Sequence, residues 1–224
     1  MEPNSPNCAR CAIQIAERVC RREGGKHPAN CPTAENGDTA AAALAEYLRP
    51  EISEFARQAS LQEKEGYSNR EKGYELVRPC KPRIEEILDF IDRMGYRRIG
   101  MAFCLGLRKE AAVVERLFSS RDLEMVSAVC KIGRVPKETL ALKEDEKIAI
   151  GTFETMCNPI LQAKTLNAAE TEFNILLGLC VGHDSLFFKY AEAPCTVLAV
   201  KDRVTGHNPL AAIYTLDSYY RALK

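Results

Sequence analysis

The chain has 224 residues, with 31 basic side chains, 31 acidic side chains and 46% hydrophobic residues. That apolar content supports a packed core and excludes global disorder, while the balanced charge gives no footprint for nucleic acid or for an anionic membrane surface. The longest apolar run is about half of the roughly 18 residues that suggest a membrane span. The first residues, MEPNSPNCARC, carry no apolar stretch behind a basic start, so a cytoplasmic protein is expected.

Residues 1–37 hold Cys8, Cys11, Cys20 and Cys31 among turn-forming residues, with one short helical stretch, AIQIAERV. This segment has too little apolar periodicity to make a core, and something else must order it. Residues 38–96 read as helical and packed on the core. Asp38 and Thr39 are placed to cap TAAAALAEYL, and a second helix runs through EISEFARQASLQEKE. Pro82 opens PRIEEILDFIDRM, whose Ile84, Ile87, Leu88 and Ile91 share one face, and Gly95 closes it.

From residue 97 to residue 224 the rhythm alternates between strand and helix. RRIGMAFC, LEMVSAVC, FNILLGLC and CTVLAVK are near-continuous apolar strands. LRKEAAVVERLFSSR, NPILQAKTLNAAE and DSLFFKYA are helices between them, and residues 131–156 form a polar crossover with no clear element. Buried strands alternating with helices predict an α/β domain, with an open, mainly parallel sheet of about four to five strands and helices on both faces. Right-handed crossovers place every strand's carboxyl end on one edge.

That placement gives three cysteines a common address. Cys104, Cys130 and Cys180 each end a strand just ahead of a glycine (Gly106, Gly133, Gly182), expected to let the backbone turn sharply, and Cys157 precedes the Asn158-Pro159 helix start. All four are expected at the carboxyl edge, where ligands bind in open α/β sheets. Neighbouring strands lie about 4.8 Å apart, so these thiols can converge on one metal or cluster. Four thiolates around one pocket repel each other without a cation. His183 and Asp184 follow Cys180 at the same edge; Lys201, Asp202 and Arg203 follow the last strand, with His207 beyond. Lys201 and Arg203 suit a cluster's negative charge or a small anionic ligand, or else a salt bridge to Asp202 or Asp184.

At the N-terminus, the Cys8–Cys11 pair has the C-x-x-C spacing that lets two sulfurs bite one metal, with Cys20 and Cys31 completing a quartet. Zinc there would be structural; an iron–sulfur cluster could also carry electrons. Ten cysteines in a chain too large to need staples point to metal, cluster or redox chemistry in a reducing compartment. Cys80 and Cys195 read as structural.

The N-terminal quartet together with GMAFCLGL, VCKIG, CNPILQA, GLCVGHD and KDRVTGHNP resembles an uncharacterised family of cysteine-rich, predicted metal-binding proteins found mainly in anaerobic prokaryotes. The resemblance spans nearly the whole chain. It implies metal binding by Cys8, Cys11, Cys20, Cys31, Cys104, Cys130, Cys157 and Cys180, and no established reaction.

Three functions compete. The first is a protein with two four-cysteine sites, iron–sulfur preferred over zinc, acting in redox chemistry, metal handling or cluster-dependent catalysis, with a redox partner protein compatible. The second is an enzyme with a cysteine nucleophile, Cys180 beside His183, and structural zinc at the N-terminus. The third is a zinc-stabilised interaction module using the helical 38–96 segment. A nucleotide site is disfavoured, because FCLGLRKEA has one glycine where a dinucleotide fingerprint needs several.

Overall fold

The computed structural model describes residues 5–224; the first four residues of the cysteine-rich 1–37 segment lie outside the described residues. The chain divides into two compact units, the first ending at Lys64 and the second running from Glu65 to Lys224.

The first unit has no buried residue among those described. Single turns at Cys8–Arg10 and Ile15–Glu17 precede the helices α1 (Pro32–Glu35), α2 (Gly37–Tyr47) and α3 (Pro50–Glu65). Asp38 and Thr39 lie inside the first turn of α2, not before it. Asn36 takes the N-cap position, without a side-chain capping bond.

The second unit opens with a two-residue antiparallel ladder of β1 (Tyr67–Ser68) and β2 (Arg78–Pro79). Then comes α4 (Arg83–Met94), which buries Ile87, Leu88, Phe90 and Ile91 and ends on Gly95 in the left-handed region. The remaining elements follow as β3 (Arg98–Phe103), α5 (Arg108–Ser119), β4 (Glu124–Val129), α6 (Pro159–Ala168), β5 (Phe173–Leu179), α7 (His183–Tyr190), β6 (Cys195–Val200) and α8 (Leu210–Tyr214). Each of the four apolar runs forms its strand. The crossover 131–156 is not featureless: it carries two 3-10 turns, Lys137–Leu140 and Glu144–Glu146, held by ion pairs of Lys137 with Glu154 and of Lys147 with Glu138 and Glu144.

The four strands are all parallel, in the order β4-β3-β5-β6. The β3–β4 crossover runs outward in one direction, and the β4–β5 crossover returns over β3 in the other. With right-handed connections, α5 and α6 therefore lie on opposite faces. Gly100 faces Leu166 of α6. On that face Ala102, Ala128, Cys130, Leu176 and Leu179 pack with Ala163, Leu166 and Phe187. On the other, Phe90 of α4 meets Phe173, with ring centroids 5.5 Å apart. The direction of winding reverses between β3 and β5, and a crevice opens at such a reversal outside the carboxyl ends of the strands. Cys104 and Cys180 end those two strands. Among the described residues no helix is long and apolar enough to cross a membrane.

Candidate functional site

All ten cysteines are free thiols. Eight of them fall into two groups, one in each unit.

In the first unit the chain is folded by polar tethers. Val19 N–H donates to Lys26 O (3.0 Å) and Lys26 N–H to Glu17 O (2.8 Å), closing a loop over Arg18–Val19. Gly25 permits that closure, because a Cβ there would sit 2.5 Å from the backbone of Arg18 and Val19. The Arg18 guanidinium donates to Ile13 O and Cys11 O, each at 2.8 Å. Asn30 ties back to Ser5 O at 2.8 Å. These tethers bring Cys8, Cys11, Cys20 and Cys31 to the lining of one cavity of about 60 Å³, together with Arg18 and Lys26. The four residues named by their spacing thus share one small space.

In the second unit, three edge thiols form a contiguous cluster. Cys130 is 3% exposed and lies between half-buried Cys104 and Cys157, with hydrogen bonding to both. Its sulfur also accepts from Leu105 N–H at 3.3 Å. Hydrogen bonding from Cys130 pulls the Cys104 thiol down to about 5, helped by the Gly106 backbone and Lys201, against the opposing effect of burial. Cys157 is likewise pulled down to about 5 by Cys130, with Lys131 and His183 adding to the shift. Cys130 is pushed up by the same two neighbours and by burial, so it keeps its proton. One S–H can donate to one sulfur at a time, and the three thiols titrate as a unit.

Cys180 has a different partner: its sulfur accepts from Arg203 Nη2 at 3.3 Å. Cys104 and Cys157 also contribute to holding the guanidinium charged. His183 begins α7 and its charge acts on Cys157. Among the described residues no hydrogen bond joins its ring to Cys180. Asp184 accepts from Ser185 N–H, and Asp202 accepts from Val204 and Thr205 N–H at 3.0 Å. His207 Nδ1 lies 3.1 Å from Asp202 N and 3.2 Å from Val200 O, a turn-forming arrangement. The salt bridges weighed for Lys201 and Arg203 do not form among the described residues. Gly133 and Gly182 have positive φ as the sharp turns require, whereas Gly106 does not.

Two contributors are not apparent from spacing. Lys131, the residue after Cys130, reaches Thr155 O and lies beside Cys157. Gln162 of α6 is fully buried and donates to Ala128 O (2.7 Å) and Phe103 O (3.2 Å), clamping the ends of β4 and β3 just before their cysteines. The polar residue on the buried face of CNPILQA is the signal that marks it. As the side chains stand, no group of three or more His, Cys, Asp or Glu among the described residues is arranged to hold a metal ion.

Residues 31–198 match the family model described as protein of unknown function (DUF1847). That span includes Cys31 and the four edge cysteines. The chain is also 43% identical over 169 residues to the uncharacterized protein MJ0455 of Methanocaldococcus jannaschii, covering 75% of this chain and 83% of that protein. No solved structure matches.

Proposed function

The chain belongs to the DUF1847 family of proteins of unknown function, and from that premise we propose that it is a metal-binding protein with two thiolate centres. Cys8, Cys11, Cys20 and Cys31 hold one, and Cys104, Cys130, Cys157 and Cys180 hold the other. The observation that carries this reading is the cavity lined by all four N-terminal cysteines, in a unit without a buried residue among those described. A coreless unit needs another source of folding free energy, and metal binding supplies it in small domains. Binding requires the thiols to turn inward about their side-chain bonds.

At the sheet edge, two sulfurs drawn toward thiolate beside a third and fourth favour a bound cation. Cys130 and Cys180 end strands two places apart, so their backbones stand about 10 Å from each other. Sulfurs sharing one zinc lie within about 4 Å. A larger iron–sulfur cluster spans that gap with less strain, and Lys131, Lys201 and Arg203 offset its negative charge. For the N-terminal centre, zinc and iron–sulfur both suit four sulfurs, with iron–sulfur preferred. The function that follows is redox chemistry, metal handling or cluster-dependent catalysis, with a redox partner protein and a small anionic ligand at the cationic rim. Ten free thiols suit a reducing, cytoplasmic setting, and the balanced charge argues against nucleic acid or membrane surfaces as partners.

The test is X-ray absorption at the iron and zinc edges with an acid-labile sulfide assay, on full-length protein purified without oxygen. Sulfur-ligated iron with matching sulfide is expected. Protein that carries neither metal, with all its thiols titratable, overturns the proposal.

A further inference from the structure

We propose that Cys104 and Cys130, when free of metal, form a reversible dithiol–disulfide couple that exchanges with low-molecular-weight disulfides bearing carboxylates. This goes beyond metal binding and does not depend on it.

The juxtaposition comes from the sheet register. Phe103 pairs with Val129 in the parallel β3–β4 ladder, and Cys104 and Cys130 are the next residues on each strand. Cys130 N–H still donates to Phe103 O at 2.8 Å, so the ladder continues to the cysteines. Backbones paired in this way stand about 4.8 Å apart, inside the Cα separation of about 4.4–6.8 Å that a disulfide spans. Side chains two residues on share a face. Ala102 and Ala128 are register partners in one packed cluster that also contains Cys130, and Cys104 packs against it. The pairing meets the Cα spacing of a disulfide, and the two thiols already stand within hydrogen-bonding reach of each other.

Accessibility divides the roles. Cys104 is only partly buried and meets the external disulfide, while Cys130 is 3% exposed and is reached only from inside the protein. Cys104 Sγ, as thiolate, attacks one sulfur of RSSR; a mixed disulfide forms and one thiolate RS⁻ leaves. The Cys130 sulfur then attacks Cys104 Sγ, its proton passing to the second departing RS⁻. The protein pair is oxidised by two electrons, and RSSR is reduced to RS⁻ and RSH. The preference for an anionic disulfide comes from two cations. Lys201 Nζ and Cys104 Sγ lie 3.6 and 3.8 Å from one point, the position of a Cβ on Gly106, and Arg203 reaches the neighbouring Cys180. Neither cation has a carboxylate partner among the described residues.

The full-length protein, reduced and stripped of metal with chelator under nitrogen, is mixed with oxidised glutathione, quenched with acid and mapped by mass spectrometry. The expected product is a Cys104–Cys130 linkage without retained glutathione, formed at least about tenfold faster than with cystamine, a cationic disulfide. Cys130→Ser is expected to retain one glutathione on Cys104, and circular dichroism checks that this variant is folded. The wild-type map alone decides if it is not. Stable glutathionylation of wild-type Cys104, a Cys130–Cys157 linkage in its place, or no reaction overturns the couple. Equal rates with cystamine overturn the anionic preference. Metal content is measured on separate, untreated protein, so failure of the couple and failure of the metal reading remain distinguishable.

Discussion

Replacing Gln162 probes how the thiol edge is held. Its amide donates to Ala128 O and Phe103 O, while its Oε1 is buried with no hydrogen-bond partner. Gln162→Ala removes both donated bonds, each contributing about 1 kcal/mol net, and leaves part of a fully buried side chain's volume empty. The combined loss is about 2–4 kcal/mol. For a chain of this size that lowers the melting temperature by roughly 5–15 °C. Gln162→Met, like Gln162→Ala, loses both donated bonds and the unpartnered Oε1, but it keeps the volume, so it is expected to lie between wild type and Gln162→Ala. Gln162→Glu faces two carbonyls with a buried carboxylate. It is expected to be the least stable at neutral pH and to recover partly in acid, once the carboxyl can donate. Urea unfolding followed by circular dichroism measures the series. If Gln162→Ala falls within about 0.5 kcal/mol of wild type, the range of a surface change, the clamp is refuted. If Gln162→Met is no better than Gln162→Ala, the role assigned to the side chain's volume is wrong.

Other outcomes follow from the same geometry. In metal-free protein, alkylation at pH 6 is expected to label the Cys104/Cys157 pair, of which one sulfur at a time takes the Cys130 hydrogen bond, ahead of Cys195, whose thiol burial pushes up; the advantage fades as pH falls through about 5. Equal labelling at pH 6 by peptide mass spectrometry contradicts the cluster's electrostatics. Glu154 is held down to about 2, first by Lys137 and then by backbone donors that include Ala149 and Ile148. A depressed carboxylate stabilises above its unfolded value of about 4.3 and loses that contribution as pH falls toward 2. Protection from hydrogen exchange at Ile148 and Ala149, taken relative to the intrinsic rate at each pH, should therefore fall over that window, and also in Glu154→Ala at neutral pH. Gly100→Ala puts a Cβ 1.9 Å from Asn174 Oδ1 and 2.9 Å from Leu166 Cδ1, both side chains fully buried. A loss of at least about 3 kcal/mol is expected in denaturant titration, and a stable variant sinks the packing described for that face.

The strands and their helices were legible because each is a short apolar run bounded by turn residues, as in RIGMAF and FNILLGL. The common edge for Cys104, Cys130 and Cys180 followed from parallel strands alone. Other features lay beyond the pattern. The β1–β2 ladder is two residues long and contains Pro79, too little for a periodic signal. Strand order, which makes Cys130 the neighbour of Cys104 and puts Cys180 on the far side, depends on long-range pairing. That Arg203 serves Cys180 while Lys201 serves Cys104 depends on how the chain leaves β6, and no spacing encodes it. Gln162 has a polar side chain on a helix's buried face, and its role appears only once the two carbonyls it joins are in place.

The two-centre proposal is tested most directly by counting metal and acid-labile sulfide per chain in anaerobically purified wild type, Cys8→Ser/Cys11→Ser and Cys104→Ser/Cys180→Ser. Two independent centres predict that each double variant loses its own share and keeps the other's, with sulfide falling in the Cys104→Ser/Cys180→Ser protein. Metal content unchanged in both variants, or absent from the wild type, contradicts thiolate ligation by these residues.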